Sequence, residues 1–329
     1  MVAGAIAGGA GRGKMPCVLR VLRLDGETVR CGGRELATPG STIWIDCTPE
    51  PENLDWLATR FGFHPLALED AAHADQRSKF EDYPGTDFIV LHRLSSHPAG
   101  EETGDQELHA FLTAEALVTI HVDRIGELEA VFDRVKGDPA VLDRGPDFTL
   151  YLVYDAITDA HFHLADALSD EVEVLNEQVL DDPREGEAVA RIAALRHRLA
   201  HFRRRLAPQR EVLAALSRPG QAVVRERTVF YFRDVQDHVV RITEQLDVAR
   251  DLASQTMEIY LSSVNNRLSS VMARMALVAT IFLPLAFVTS IFGMNLPGTD
   301  RLMGWWMVGG TALVLPPAMV LLFKKRGWF

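Results

Sequence analysis

MARMALVATIFLPLAFVTSIFGMN, residues 272–295, decides the fold. No residue between Met275 and Thr299 is charged, and the heart of the run is Ala276–Ile291. A second uncharged run extends from Met303 to Phe323. Each exceeds the roughly 18–20 residues that carry a helix across a bilayer. Two such runs in tandem predict two membrane spans rather than core helices of a soluble protein.

The flanks give an orientation. Arg267 and Arg274 precede the first span, Lys324, Lys325 and Arg326 follow the second, and the short connection carries only Asp300 and Arg301. The positive-inside rule then places both termini in the cytoplasm and the connection outside, in a multi-pass protein of the cytoplasmic (inner) membrane. Trp305, Trp306 and Trp328 stand where interfacial aromatics belong.

Working backwards from the first span, Val223–Phe292 holds one proline, Pro284, and no glycine. That permits a single helix of about 70 residues, roughly 100 Å at 1.5 Å per residue. A helix of that length needs lateral partners. Upstream, alternating apolar runs predict strands at Val18–Leu24, Thr42–Asp46, Phe88–Leu94, Glu107–Leu112 and Leu117–Val122. Between them Pro51–Phe61, Pro65–Ala72 and Ile125–Val135 read as helices. Two longer helices follow, Phe148 to about Leu180 and about Gly186 to Leu216, the second with a bend expected near Pro208.

The expected organisation is a disordered tail or over-extended start at 1–14, an α/β cytosolic domain at 15–145 and a helical hairpin at 146–222. A stalk helix at 223–274, a first transmembrane helix at 275–293 and an external loop at 294–302 come next. A second transmembrane helix at 303–323 and a basic cytosolic tail at 324–329 complete it.

The formal net charge of −11 speaks against a nucleic-acid partner and suits a protein that handles cations. The Arg191–Arg210 segment mixes its charges into a helical pattern and reads as a solvated face. Cys17, Cys31 and Cys47 show no CxxC spacing and read as free thiols in a reducing cytosol. His161 and His163, two residues apart, point to different helix faces and read as surface or core residues rather than metal ligands. No phosphate-binding glycine loop, nucleophile elbow or His-Glu metal motif points to an enzyme.

Four ordered stretches then carry a resemblance. They are His64-Pro65-Leu66-Ala67-Leu68-Glu69-Asp70, Tyr231-Phe232-Arg233-Asp234-Val235-Gln236-Asp237-His238, Tyr260-Leu261-Ser262-Ser263-Val264-Asn265-Asn266, and Phe323-Lys324-Lys325-Arg326-Gly327-Trp328. With Gly293-Met294-Asn295 directly after the first span, the chain resembles the CorA family of magnesium transporters over nearly its whole length. The resemblance implies a funnel-shaped homopentamer of identical subunits in the lipid bilayer. In it the long helix forms the stalk and inner pore, and the second span an outer ring. Mg2+ or another divalent cation is then substrate and regulator, with no covalent cofactor and no enzymatic activity.

Magnesium sheds its water reluctantly, so a filter works best by gripping the hydrated ion. A ring of Asn295 carboxamides beside Gly293 and Met294 suits such a grip, because its oxygens accept from bound water and its neutrality avoids too deep a well. On residue type alone Asn295 reads equally well as a helix C-cap; the resemblance favours the filter. Met272, Met275, Ala276, Ala279, Leu283, Ala286 and Ser290 fall on one helical face. That face resembles the family's pore lining, with Met and Leu rings able to gate by dewetting; packing on a neighbouring span is the alternative.

Asp234, Asp237 and His238 lie on the stalk, and Asp234 matches the family's regulatory site between subunits. Glu81, Asp82 and Asp155 are its candidate partners, whose repulsion a divalent ion would bridge. The loop departs from the family pattern. Leu296-Pro297-Gly298-Thr299 separates the triplet from Asp300, whose charge Arg301 offsets. The divergent loop keeps open a ZntB-type zinc transporter, possibly proton-coupled, although Met294 favours magnesium. A membrane-tethered scaffold that conducts nothing is the alternative of another class.

Overall fold

The structure is a computed structural model and describes residues 18–73, 76–95, 105–181, 187–293 and 301–325. The chain divides into two compact units, residues 1–257 and 258–329.

The first unit is built on a seven-stranded mixed sheet. Its strands are β1 (Leu19–Asp25), β2 (Thr28–Gly32), β3 (Ile43–Cys47), β4 (Lys79–Tyr83), β5 (Thr86–Arg93), β6 (Gln106–Leu112) and β7 (Ala116–Ile120). They lie in the order β2-β1-β3-β7-β6-β5-β4, and only β3 and β7 pair in parallel. Those two central strands, IWIDC and ALVTI, are buried at every position. That is what a strand covered on both faces requires.

One face of the sheet buries Ile43, Ile45, Phe88, Val90, Phe111 and Val118. Against them pack Leu57 of α1 (Pro51–Phe61) and Ala67, Leu68 and Ala71 of α2 (Pro65–Ala72). Each of these helices starts on a proline at its first position, where no amide hydrogen is needed. On the other face Trp44 meets Phe132 of α3 (Gly126–Gly137), ring centroids 5.0 Å apart. There α5 (Pro146–Asp181) also packs on β3, β5, β6 and β7, after the short α4 (Pro139–Asp143).

The expected helices at 51–61 and 65–72 have those bounds, and the five expected strands are present with ends shifted by one or two residues. Two strands escaped sequence reading. β2 is largely exposed, and β4 (KFEDY) closes the sheet at its other edge with charges; neither shows apolar alternation, a common state of edge strands. α6 (Ala188–Leu216) continues through Pro208. The long helix α7 runs from Glu226 to Gly293.

The second unit comprises the end of α7 and α8 (Arg301–Lys325). Among the described residues α7 is the one helix long and apolar enough to cross a membrane, and only 6% of its most apolar window is buried. A core helix of a soluble protein would be mostly covered, so this apolar surface requires lipid or further protein.

Candidate functional site

Two regions concentrate the expected functional residues. The first lies where α5 faces the beginning of α7. Arg144 spreads its guanidinium 3.5 Å over the Phe148 ring and donates to Tyr231 Oη at 2.7 Å. Tyr151 and Tyr231 meet at 4.9 Å, and Phe232 takes Tyr151 and Tyr154 on its edges. This aromatic packing fixes the register between the helices. It brings Asp155 of α5 into the field of Asp234 and His238 of α7.

Burial raises Asp155 above the ordinary carboxylate range. Asp159 and Asp234 add to that rise, while His238 and the Tyr151 hydrogen bond oppose it. Burial, with Asp155 and Asp234 adding, pushes the Tyr151 phenol up to about 12. His238 Nε2 stands 3.9 Å from Asp234 Oδ2, and its ring meets Phe162 edge-on. The Asp234 side chain is 66% exposed, and Asp237 is exposed as well. Asp234 and Asp237 are therefore available to a second molecule.

Glu81 and Asp82 occupy β4. Glu81 accepts from Lys79 Nζ at 2.7 Å and from Tyr83 Oη at 2.8 Å, and Lys79 also binds Asp70 at 2.6 Å. A carboxylate held on both oxygens is a weaker candidate ligand than a free one. Asp82 is exposed and lies opposite Asp87 in the β4–β5 register. Burial, with Asp82 adding, pushes the almost inaccessible Asp87 up to about 6. Among the described residues no three His, Cys, Asp or Glu side chains gather as a ready metal-ligand set.

Sequence reading missed Asp159, Asp87 and the Asp70–Lys79–Glu81 chain. Asp159 lies one helical turn beyond Asp155, and that spacing was the signal available for it. The others depend on strand pairing between segments whose pairing no local pattern announces.

The second region is the apolar end of α7. Met272, Met275 and Leu283 are 70%, 69% and 74% exposed in the single chain, and Ala279, Ala286 and Ser290 are exposed too. Thr280 and Thr289 return their hydroxyls to the carbonyls of Ala276 and Leu285 at 2.7 and 3.0 Å. Such back-bonding satisfies hydroxyls where water is absent. The helix continues through Pro284 and is described as far as Gly293. Met294, Asn295 and Asp300 lie outside the described residues.

A mixed-sheet domain whose last helix continues into an uncovered apolar segment defines a class, that of membrane proteins with a large water-facing domain. The chain belongs to the CorA family: the family model described as CorA-like Mg2+ transporter protein matches residues 39–325. The cobalt/magnesium transport protein CorA of Thermotoga maritima is 33% identical over 302 residues, covering 90% of this chain and 85% of the relative. The complete structure of the CorA magnesium transporter from Methanocaldococcus jannaschii superposes with a TM-score of 0.82 at 23% identity, over 96% of this chain and 100% of that one. The ZntB cytoplasmic domain from Vibrio parahaemolyticus RIMD 2210633 gives 0.64 at 10% identity, over 76% of this chain and 98% of that one. These two structural likenesses concern the fold alone.

Proposed function

We propose that the protein conducts Mg2+, with Co2+ and Ni2+ as further cargo, across the cytoplasmic membrane as a homopentamer with two spans per subunit and both termini cytosolic. The observation that carries this is the single helix α7, which joins the water-facing domain to an exposed apolar segment and leads directly into Gly293. The T. maritima relative, named as a cobalt/magnesium transport protein, supports Mg2+ and Co2+ as cargo.

On this reading five copies of α7 surround one axis. Met272, Met275, Ala279, Leu283, Ala286 and Ser290 face it and gate by dewetting. Gly293, Met294 and Asn295 ring its outer mouth, where the carboxamide oxygens of Asn295 accept from the ion's own water. Asp300 adds a ring of charge that Arg301 offsets. Magnesium keeps most of its hydration throughout, which avoids the large cost of stripping it.

Regulation operates on the exposed carboxylates of α7. Asp234 and Asp237 of one subunit, with His238 beside them, face Asp155, Glu81 or Asp82 of the next. A divalent ion between them holds the closed state. Asp155 is the favoured partner, because burial beside like charges makes it gain most from a cation. Glu81 is the weakest, being already satisfied by Lys79 and Tyr83.

Ion flux into liposomes containing the purified protein tests the assignment, comparing Mg2+, Co2+, Ni2+ and Zn2+ with and without a proton gradient. The proposal requires Mg2+ entry driven by its own gradient. Zinc entry that needs protons would transfer the protein to the ZntB-type alternative. No flux of any ion from a verified oligomer would leave the tethered scaffold.

A further inference from the structure

The end of the sheet where β5 finishes and β6 begins gathers three imidazoles in the protein interior. His92 and His109 are 1% and 4% exposed, and His161 of α5 is fully buried. His92 lies opposite Glu107 in the strand register, and His109 follows Glu107 by two residues on the same face. The carboxylate of Glu107 stands between them, with Oε1 3.4 Å from His92 Nε2 and Oε2 3.7 Å from His109 Nε2. The imidazoles address different oxygens, and among the described residues no three donors converge. The arrangement is therefore suited to protons rather than to a metal.

The same stretch is the point where the sheet is fastened to the helices. The Leu94 amide donates to His161 Nε2 at 3.1 Å, and Gln209 Nε2 of α6 donates to the His92 carbonyl at 2.9 Å. Ser78 Oγ meets His92 Nδ1 at 2.8 Å. Because His161 Nε2 accepts, its single proton must sit on Nδ1, and a second proton on Nε2 would remove the acceptor and the tether with it.

We propose that His109 and His161, beside His92, form an acid-released latch: while these two are neutral the end of β5 stays fastened to β6, α5 and α6, and proton uptake opens it. The charged surroundings are consistent with this. Burial depresses His109 to about 4, with His92 and Lys79 of β4 adding and Glu107 and Asp70 of α2 opposing. Burial depresses His161 to about 3, helped by Arg93 and His92. Arg93 is itself held by Glu127 at 3.0 Å, and on α6 His201 and Arg205 hold Asp105, at 2.8 and 3.6 Å.

Both folded values lie below the ordinary imidazole value near 6.5, so the opened form binds more protons and opening is favoured as pH falls. Between pH 7.5 and 5.5 each of the two histidines contributes about tenfold to the opening equilibrium, together about a hundredfold. The latch acts on α5, which also carries Tyr151 and Asp155. It requires no assumption about the transported ion.

Amide hydrogen exchange on the full-length protein in detergent, at pH 7.5 and 5.5 and corrected for the intrinsic pH dependence of exchange, tests the latch. Residues 90–95 and 106–109 should lose protection about a hundredfold, while the segment around His121 should not. An equal change across β1, β3 and the latch would overturn the proposal. His161→Gln keeps an acceptor for Leu94 that does not titrate, and should cut the loss to about tenfold. An undiminished loss in that folded variant would also overturn it, and if the variant does not fold the wild-type comparison between segments still decides.

Discussion

At the residue scale the best-defined polar feature is a network around Asp46, the penultimate residue of β3. Its carboxylate takes Thr119 Oγ1 at 2.6 Å, His121 Nε2 at 3.1 Å and Arg20 Nε at 2.9 Å, and Arg20 continues to Glu129 at 2.6 Å. Desolvation works against the charge of Asp46, but His121, Arg20 and Thr119 outweigh it and hold the carboxyl below its ordinary value. Burial likewise works against the charged form of His121, and Asp46 outweighs it and raises the imidazole. The Asp46 contribution is present above about pH 4 and lost as pH falls through its folded value; that of His121 is present below about pH 6.5 and lost as pH rises through its folded value. The pair is therefore strongest between those limits. Asp46→Ala leaves a buried imidazole without its partner and should cost about 3–5 kcal/mol, read by thermal unfolding of the purified protein. The exposed Asp234 behaves differently: Asp234→Ala should leave the unfolding temperature unchanged and keep Mg2+ flux active at high internal Mg2+. Retained inhibition would remove Asp234 from the sensor. Asp234 was singled out through a family motif, whereas nothing local in Ile43–Cys47 announces that Asp46 is the node of a buried network, because its partners come from two other segments, β1 and the end of β7.

At the scale of elements, the chain shows where periodicity succeeds and where it fails. α1 and α2 were readable because proline starts each one and an apolar face follows. The buried pair β3 and β7 was readable as short apolar runs. β2 and β4 were not, since little of their surface is apolar and their position depends on neighbours; α4, with five residues, is too short to show a helical period. The corner between α4 and α5 is equally hidden in sequence. Gly145 adopts φ +112° there, and a Cβ at that position would strike the guanidinium of Arg225. Arg225 donates from its backbone amide to the buried Asp147 at 3.1 Å and from its side chain to the Arg144 carbonyl. Gly145→Ala combines left-handed strain with this collision and should destabilise the domain by about 1–3 kcal/mol, again seen in thermal unfolding. An unchanged transition would mean that the corner adapts at no cost.

At the scale of the whole molecule, composition is the sharpest clue. Charge fills the first 270 or so residues, and uncharged runs dominate the rest. That asymmetry made the membrane class legible, and the continuity of α7 follows from the lack of glycine and the single proline between Val223 and Phe292. The proposed pore does not follow from one chain. Met272, Met275 and Leu283 are exposed in the single chain, and the shared axis proposed for them would come only from symmetry that no spacing encodes. The central claim, a hydrated Mg2+ held by a ring of Asn295, is tested most directly by Mg2+ flux through Asn295→Ala in liposomes beside the wild type. The account predicts that the variant, assembled to the same size, loses Mg2+ flux or its preference for Mg2+ over other divalent ions; flux of unchanged rate and ion preference would contradict it.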